Sequence, residues 1–203
     1  MVITIARQYG SGGKEIGRML ADKLGIRFYD KELITLAAKE SGISPEVFEQ
    51  YDEKAANSLL YALSLGASAS MGDYGLIPQL PMNDRLFLLQ HEIIRQVSAE
   101  PCVIVGRCAD YVLRDRADCI RLFIYADMEK RIRHVVDEHG VDEKKARSVI
   151  RKADKARANY YNYYADREWG DPENYHLCIN SGELDTAGCA ELIQAYLKLR
   201  GMV

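Results

Sequence analysis

The stretch Val2-Ile-Thr-Ile-Ala-Arg-Gln-Tyr-Gly-Ser-Gly-Gly-Lys14 decides the fold. Residues 2–6 are short, apolar and β-branched, the signature of a strand buried on both faces in a parallel sheet. Gly10, Gly12 and Gly13 then free the backbone for a tight turn, and Ile16, Met19, Leu20 and Leu24 recur at helical spacing. Gly25 is placed to stop that helix. Strand, glycine-rich turn and helix, in that order, are the context in which a phosphate-binding loop is credible. Gly10, Ser11, Gly12 and Gly13 supply amides that can wrap an anion, the helix adds the positive end of its dipole, and Lys14 brings a full charge. Against the pattern G-x-x-x-x-G-K-[ST], Gln8 stands for the first glycine and Glu15 for the hydroxyl residue. The competing reading is a turn that only packs strand on helix; the lysine favours the anion.

Outward from this loop the same alternation repeats. Strands are expected over 26–29, 102–105, 120–125 and 177–180, and helices over 30–39, 45–54, 58–65, 84–99, 127–138, 142–164 and 186–199. Residues 66–83 are rich in Gly, Ser, Met and Pro without periodicity, and read as a long functional loop. Short apolar strands alternating with helices give an α/β fold with a central parallel sheet.

Composition bounds the function. A chain of 203 residues is one domain by length. Its 27 Lys and Arg against 30 Asp and Glu leave a net charge of −3, with a pI near 5.9, which disfavours a nucleic-acid binder. No run reaches the length of a membrane span, and the first residues lack the basic segment of a signal peptide. Five cysteines, an odd number without a Cys-x-x-Cys pair, and four scattered histidines argue against disulfides and structural zinc. The expectation is a reduced cytoplasmic protein.

Four segments in order, Arg7-Gln-Tyr-Gly-Ser-Gly-Gly-Lys-Glu-Ile-Gly17, Phe28-Tyr-Asp-Lys-Glu-Leu-Ile34, Val103-Ile-Val-Gly-Arg-Cys-Ala-Asp-Tyr111 and Asp154-Lys-Ala-Arg-Ala-Asn-Tyr-Tyr161, resemble the bacterial cytidylate kinase-like family. That family is a divergent branch of the P-loop nucleoside monophosphate kinases. The resemblance implies a P-loop NTPase-type three-layer sandwich spanning 1–203, with a helical acceptor-binding insertion over about 30–83 and a basic helical lid over about 142–170. It implies ATP and Mg²⁺ as cofactors. It places Lys14 on the donor phosphates, Arg107 on the acceptor phosphate, and Asp154 and Arg157 in the lid motif; Asn180-Ser181 falls where the chain nears the adenine. The departures are Val105 and Cys108, where the family has aspartates beside Gly-Arg, and Glu15, which replaces the Ser or Thr that helps hold Mg²⁺ and is the candidate metal contact in its stead.

Other candidates carry two readings each. Between Lys144 and Arg157 lie seven basic residues and one acidic, Asp154; Arg147, Arg151 and Asp154 share a helix face. A solvated face is the commoner fate of such a run, but beside a phosphate loop a lid in which Arg151 and Arg157 cap the transferring group is the better account. Tyr160, Tyr161, Tyr163, Tyr164 and Trp169 anchor that helix or stack bases. Asp30 caps a helix or faces the acceptor, and Arg85 joins Arg107 on the acceptor phosphate. The expected activity is ATP-dependent phosphoryl transfer to a small phosphorylated acceptor, a pyrimidine nucleoside monophosphate such as CMP or dCMP foremost. A kinase for another small metabolite and a non-catalytic nucleotide-binding regulator are the alternatives. The partners are then a nucleotide and a small phosphate acceptor, with no nucleic acid and no membrane.

Overall fold

The computed structural model describes residues 1–30, Leu36 and 82–203. The expected helices over 30–39, 45–54 and 58–65, and most of the 66–83 loop, lie outside the described residues. The last two residues of that loop, Met82 and Asn83, already belong to a helix.

The chain runs β1 (Val2–Arg7), α1 (Gly13–Leu24), β2 (Arg27–Tyr29), α2 (Met82–Val97), β3 (Cys102–Val105), α3 (Ala109–Val112), β4 (Cys119–Tyr125), α4 (Met128–His139), α5 (Glu143–Ala165), β5 (Leu177–Asn180) and α6 (Thr186–Leu199). A 3₁₀ turn, Pro172–Asn174, precedes β5. The five strands form one parallel sheet in the order β2-β3-β1-β4-β5. β1 lies at its centre, with Ile5 opposite Val105 of β3 and Leu122 of β4.

Both faces of the sheet are covered, which is why its strands are apolar throughout rather than alternating. On one side Val2, Cys102 and Ile104 pack with Ile93 and Ile94 of α2 and with Val112 and Leu113. On the other, Ile3, Ile5, Val103, Leu122 and Ile124 pack with Ile16 and Leu20 of α1 and Ile193 and Leu197 of α6. The result is the three-layer sandwich. All five cysteines are free, and four of them are buried. None of the helices among the described residues is long and apolar enough to cross a membrane.

The helix ends follow local chemistry. Asp127, Asp142 and Asp185 cap α4, α5 and α6 by accepting the backbone N–H of Lys130, Lys144 and Gly188. Each such cap is worth about 1 kcal/mol. α1 differs: its N-cap is Gly12 in the left-handed conformation, with no side-chain acceptor. Its first N–H groups are left to other partners, at the C-terminal edge of the central strand.

Candidate active site

A cavity of about 630 Å³ opens at that edge, where ligands bind in open α/β sheets. Its walls come from the glycine-rich loop, Asp30, the turn after β3 and the inner face of α5. Gly10 and Gly12, at φ of 78° and 72°, give the loop its curvature. A Cβ on Gly10 would come within 2.8 Å of Val135 and 2.9 Å of the Arg131 carbonyl, so α4 lies directly over the loop.

Ser11 does not face the cavity. Its N–H and hydroxyl both donate to the Gln8 carbonyl, and its own carbonyl accepts the Ser181 hydroxyl at 2.6 Å. The expectation that Ser11 helps cradle phosphate is corrected: its polar groups are spent anchoring the loop to β4 and to the chain after β5. The chain after β5 therefore meets the loop directly, through Ser181. Glu15, half-buried, stands on the cavity wall.

Four cations converge on one carboxylate. Lys14 Nζ lies 3.0 Å from Asp30 Oδ2, and Arg7 lies 3.7 Å from Asp30 Oδ1. The charge of Asp30 also favours the cationic forms of Arg107 and Arg157. Asp30 is thus a site residue, buried to 6% exposure, rather than only a helix cap. Burial is the largest influence on all three arginines, and it lowers each; Arg157 and Arg107 lower Arg7 further, to about 9. A cluster of cations on one cavity wall, with Arg7 held down by burial and by its cationic neighbours, favours an anion.

The turn after β3 is strained in a particular way. Gly106, Arg107 and Cys108 follow one another at φ of 80°, 59° and 54°. Left-handed backbone costs a non-glycine residue about 1–2 kcal/mol, and two in a row mark a functional turn. The turn brings Arg107 to the cavity wall. The carboxylate of Asp110, at the start of α3, accepts the Tyr161 hydroxyl at 2.7 Å. Burial raises its pKa. Burial likewise pushes the Cys108 thiol up, leaving it an unreactive lining group.

α5 closes the remaining side. Arg157 donates to the carbonyl of Arg7 at 2.9 Å and its guanidinium stands 5.4 Å from the centre of the Tyr9 ring. Asp154 accepts the backbone N–H of Tyr9 at 2.8 Å and pairs with Arg131 of α4. Asp154 thus orients an arginine of α4, and its charge also favours the cationic form of Arg157 on its own helix. Arg147 pairs with Glu129 of α4 at the surface, where both side chains stay exposed, so that stretch of the basic face is solvated. Arg151 is exposed and outside the cavity walls, so the expected second capping arginine is not brought to the site. The aromatic cluster packs: Tyr160 bonds Gln90, Tyr164 bonds Asp84 and stacks on Phe87 at 4.0 Å. Arg85 lies in α2, with its side chain outside the described residues.

Arg7 and Asp110 lie inside the segments that carry the family resemblance but take no role from it, and Arg131 lies outside them. The only sequence signal for Arg7 is a charge closing an otherwise apolar strand. Asp110 and Arg131 sit in helical patterns where a buried charge has no distinct spacing.

The residues fit the nucleotide and ion that the fold suggests. The uncapped start of α1, with Lys14 beside it, suits a polyphosphate. Among the described residues no three His, Cys, Asp or Glu side chains could hold a metal by themselves. Mg²⁺ needs no such cage, since substrate phosphates and one or two carboxylates commonly suffice, and Glu15 is such a carboxylate.

Comparison with known proteins agrees with this architecture. A cytidylate kinase of Archaeoglobus fulgidus is 26% identical over 199 residues, covering 95% of this chain and 92% of that one. An uncharacterized protein of Eubacterium ventriosum superposes with a TM-score of 0.71 at 28% identity, covering 98% of each chain. A shikimate kinase of Bacteroides thetaiotaomicron, with a TM-score of 0.55 at 14% identity and 98% of both chains covered, shares the fold. Residues 2–183 match the model of the cytidylate kinase-like family, and the chain belongs to that family of phosphotransferases.

Proposed function

We infer that the protein transfers the terminal phosphoryl group of ATP to a small acceptor that already carries a phosphate, a pyrimidine nucleoside monophosphate such as CMP or dCMP foremost. The observation that carries this reading is the convergence of Lys14, Arg7, Arg107 and Arg157 on a single buried carboxylate at the C-terminal edge of the sheet. The phosphate loop alone would serve one polyphosphate. Arg107, on the turn after β3 and on the wall of the same cavity, would serve a second.

Phosphoryl transfer asks for positioning and charge neutralisation more than for covalent chemistry. Loop amides and the N-terminus of α1 hold the donor phosphates, and Lys14 neutralises their oxygens once they draw it from Asp30. Arg157, fixed by its bond to the Arg7 carbonyl, caps the transferring group. Arg107 holds the acceptor phosphate. Mg²⁺, when bound with the nucleotide, would supply further neutralisation of the phosphate oxygens, and Glu15, on the same cavity wall, is a carboxylate that could hold it. Because Val105 and Cys108 stand where true cytidylate kinases carry aspartates, discrimination by sugar and base is expected to be looser.

The test is a coupled ATP-consumption assay against a panel of nucleoside monophosphates and small phosphorylated metabolites, run with and without magnesium. Robust acceptor-dependent turnover with at least one monophosphate supports the reading. ATP binding with no acceptor-dependent turnover would replace it with a nucleotide-binding regulator.

A further inference from the structure

Two glycines on two different loops make room for one side chain. A Cβ on Gly13, in the phosphate loop, would lie 2.6 Å from Arg7 Cβ, and one on Gly106, in the turn after β3, would lie 2.1 Å from Arg7 Nη1. Both distances are far inside van der Waals contact, so an alanine at either position would take space that the arginine occupies. Arg7 ends the central strand, beside β3, whose following residue Gly106 donates its N–H to the Ile5 carbonyl at 2.9 Å. Its guanidinium therefore runs from the donor loop toward the acceptor turn. It meets Asp30 from one side, while the charges of Arg157 and Arg107 oppose it from others.

We propose that Arg7 contacts the terminal donor phosphate and the acceptor phosphate together, as the cation lying between them during transfer. This deepens the kinase reading above and rests on it. In the reaction, an oxygen of the acceptor phosphate dianion forms a bond to the γ-phosphorus as the bond to the β–γ bridging oxygen breaks. The diphosphate leaves with that electron pair. The attacking oxygen carries no proton, so no general base is required, and Arg7 neutralises charge without exchanging a proton. Five fixed N–H donors in a planar fork suit two phosphate groups at once, which a lysine's single point charge does not.

The experiment uses probes that need no knowledge of the acceptor's sugar or base. Affinities for ATP and for adenosine 5′-tetraphosphate and 5′-pentaphosphate are measured by calorimetry on the full chain, wild type, Arg7→Ala and Arg7→Lys. The longer phosphate chains extend from the donor subsite into the acceptor subsite. Wild type is expected to bind them more tightly than ATP, and Arg7→Ala to lose at least about tenfold of that gain in addition to a smaller loss of affinity for ATP, which meets Arg7 through its terminal phosphate only. Arg7→Lys, which retains charge and stem if the alanine variant fails to fold, should lose part of the gain. A wild-type protein that gains nothing from the added phosphates, or an Arg7→Lys protein that retains the full gain alongside an Arg7→Ala protein that does the same, overturns the proposal. Unchanged ATP affinity in Lys14→Ala would instead overturn the underlying phosphate-loop reading, and so separates the two failures.

Discussion

The carboxylate of Asp154 accepts the backbone N–H of Tyr9 at 2.8 Å, across 145 positions of sequence. Its second oxygen takes the guanidinium of Arg131, which is 5% exposed. One side chain on α5 thereby fixes the phosphate loop and neutralises a buried cation on α4.

Asp154→Ala should destabilise the protein by roughly 3 kcal/mol, because it strands a buried guanidinium without its partner. Urea denaturation would show this as a lowered midpoint at unchanged slope. A midpoint within error of wild type would mean that Arg131 is solvated or re-paired at little cost.

Arg107 and Lys14 should separate in kinetics. Arg107→Ala is expected to raise the acceptor KM strongly and to leave ATP affinity nearly intact, whereas Lys14→Ala should weaken ATP binding and cut turnover by about two orders of magnitude. Steady-state kinetics in both substrates, with calorimetry for ATP, make the distinction. An unchanged acceptor KM would remove Arg107 from the site.

Two arginines six residues apart on α5 should behave oppositely. Arg157→Ala should lower kcat by about 10²–10³-fold with little change in the KM for ATP, since it acts on charge developed in transfer. Arg151→Ala, whose side chain is exposed, should leave kcat within about twofold. A large kcat loss in Arg151→Ala would show that α5 turns its basic face inward during turnover.

The acid limb of stability should depend on Asp118 and Asp110 with opposite signs. Hydrogen bonds from Arg116, and pairing with the N-terminal ammonium, hold the Asp118 carboxyl far below its ordinary 3.8. Its contribution is complete above 3.8 and is lost as pH falls from there through the depressed value. Burial raises Asp110 above 3.8, so the folded form keeps a proton that the unfolded chain has released, and its contribution declines as pH rises through that window. Asp118→Asn should flatten the acid limb and Asp110→Asn should steepen it, in urea midpoints taken between about pH 2 and 6.

The strands were legible because parallel burial leaves only apolar β-branched runs: 102–105 and 177–180 are found at the expected bounds, and 120–125 extends by one residue to Cys119. The closing helix, Thr186–Leu199, also has its expected ends, with Asp185 as cap. Lys14, Asp30, Arg107 and Arg157 were legible because each falls in a short motif tied to a strand end or a helix. Arg7 was not, since its place depends on clearance left by Gly13 and Gly106, which lie 93 positions apart. Nor was the direction of Ser11, whose hydroxyl is claimed by the Gln8 carbonyl. Hydroxyls and charges that serve the scaffold look, in sequence, like those that serve a ligand.

α5 touches both ends of the cavity, through Arg157 at the close of β1 and through Tyr161 at Asp110 beside the acceptor turn. Any ligand that shifts this helix shifts the walls of both subsites at once. By thermodynamic reciprocity, the factor by which a triphosphate changes acceptor affinity must equal the factor by which the acceptor changes triphosphate affinity. If both substrates act on this helix, donor and acceptor are each other's effectors, and a Tyr161→Phe protein, with the tie to Asp110 cut, should bind the two with greater independence.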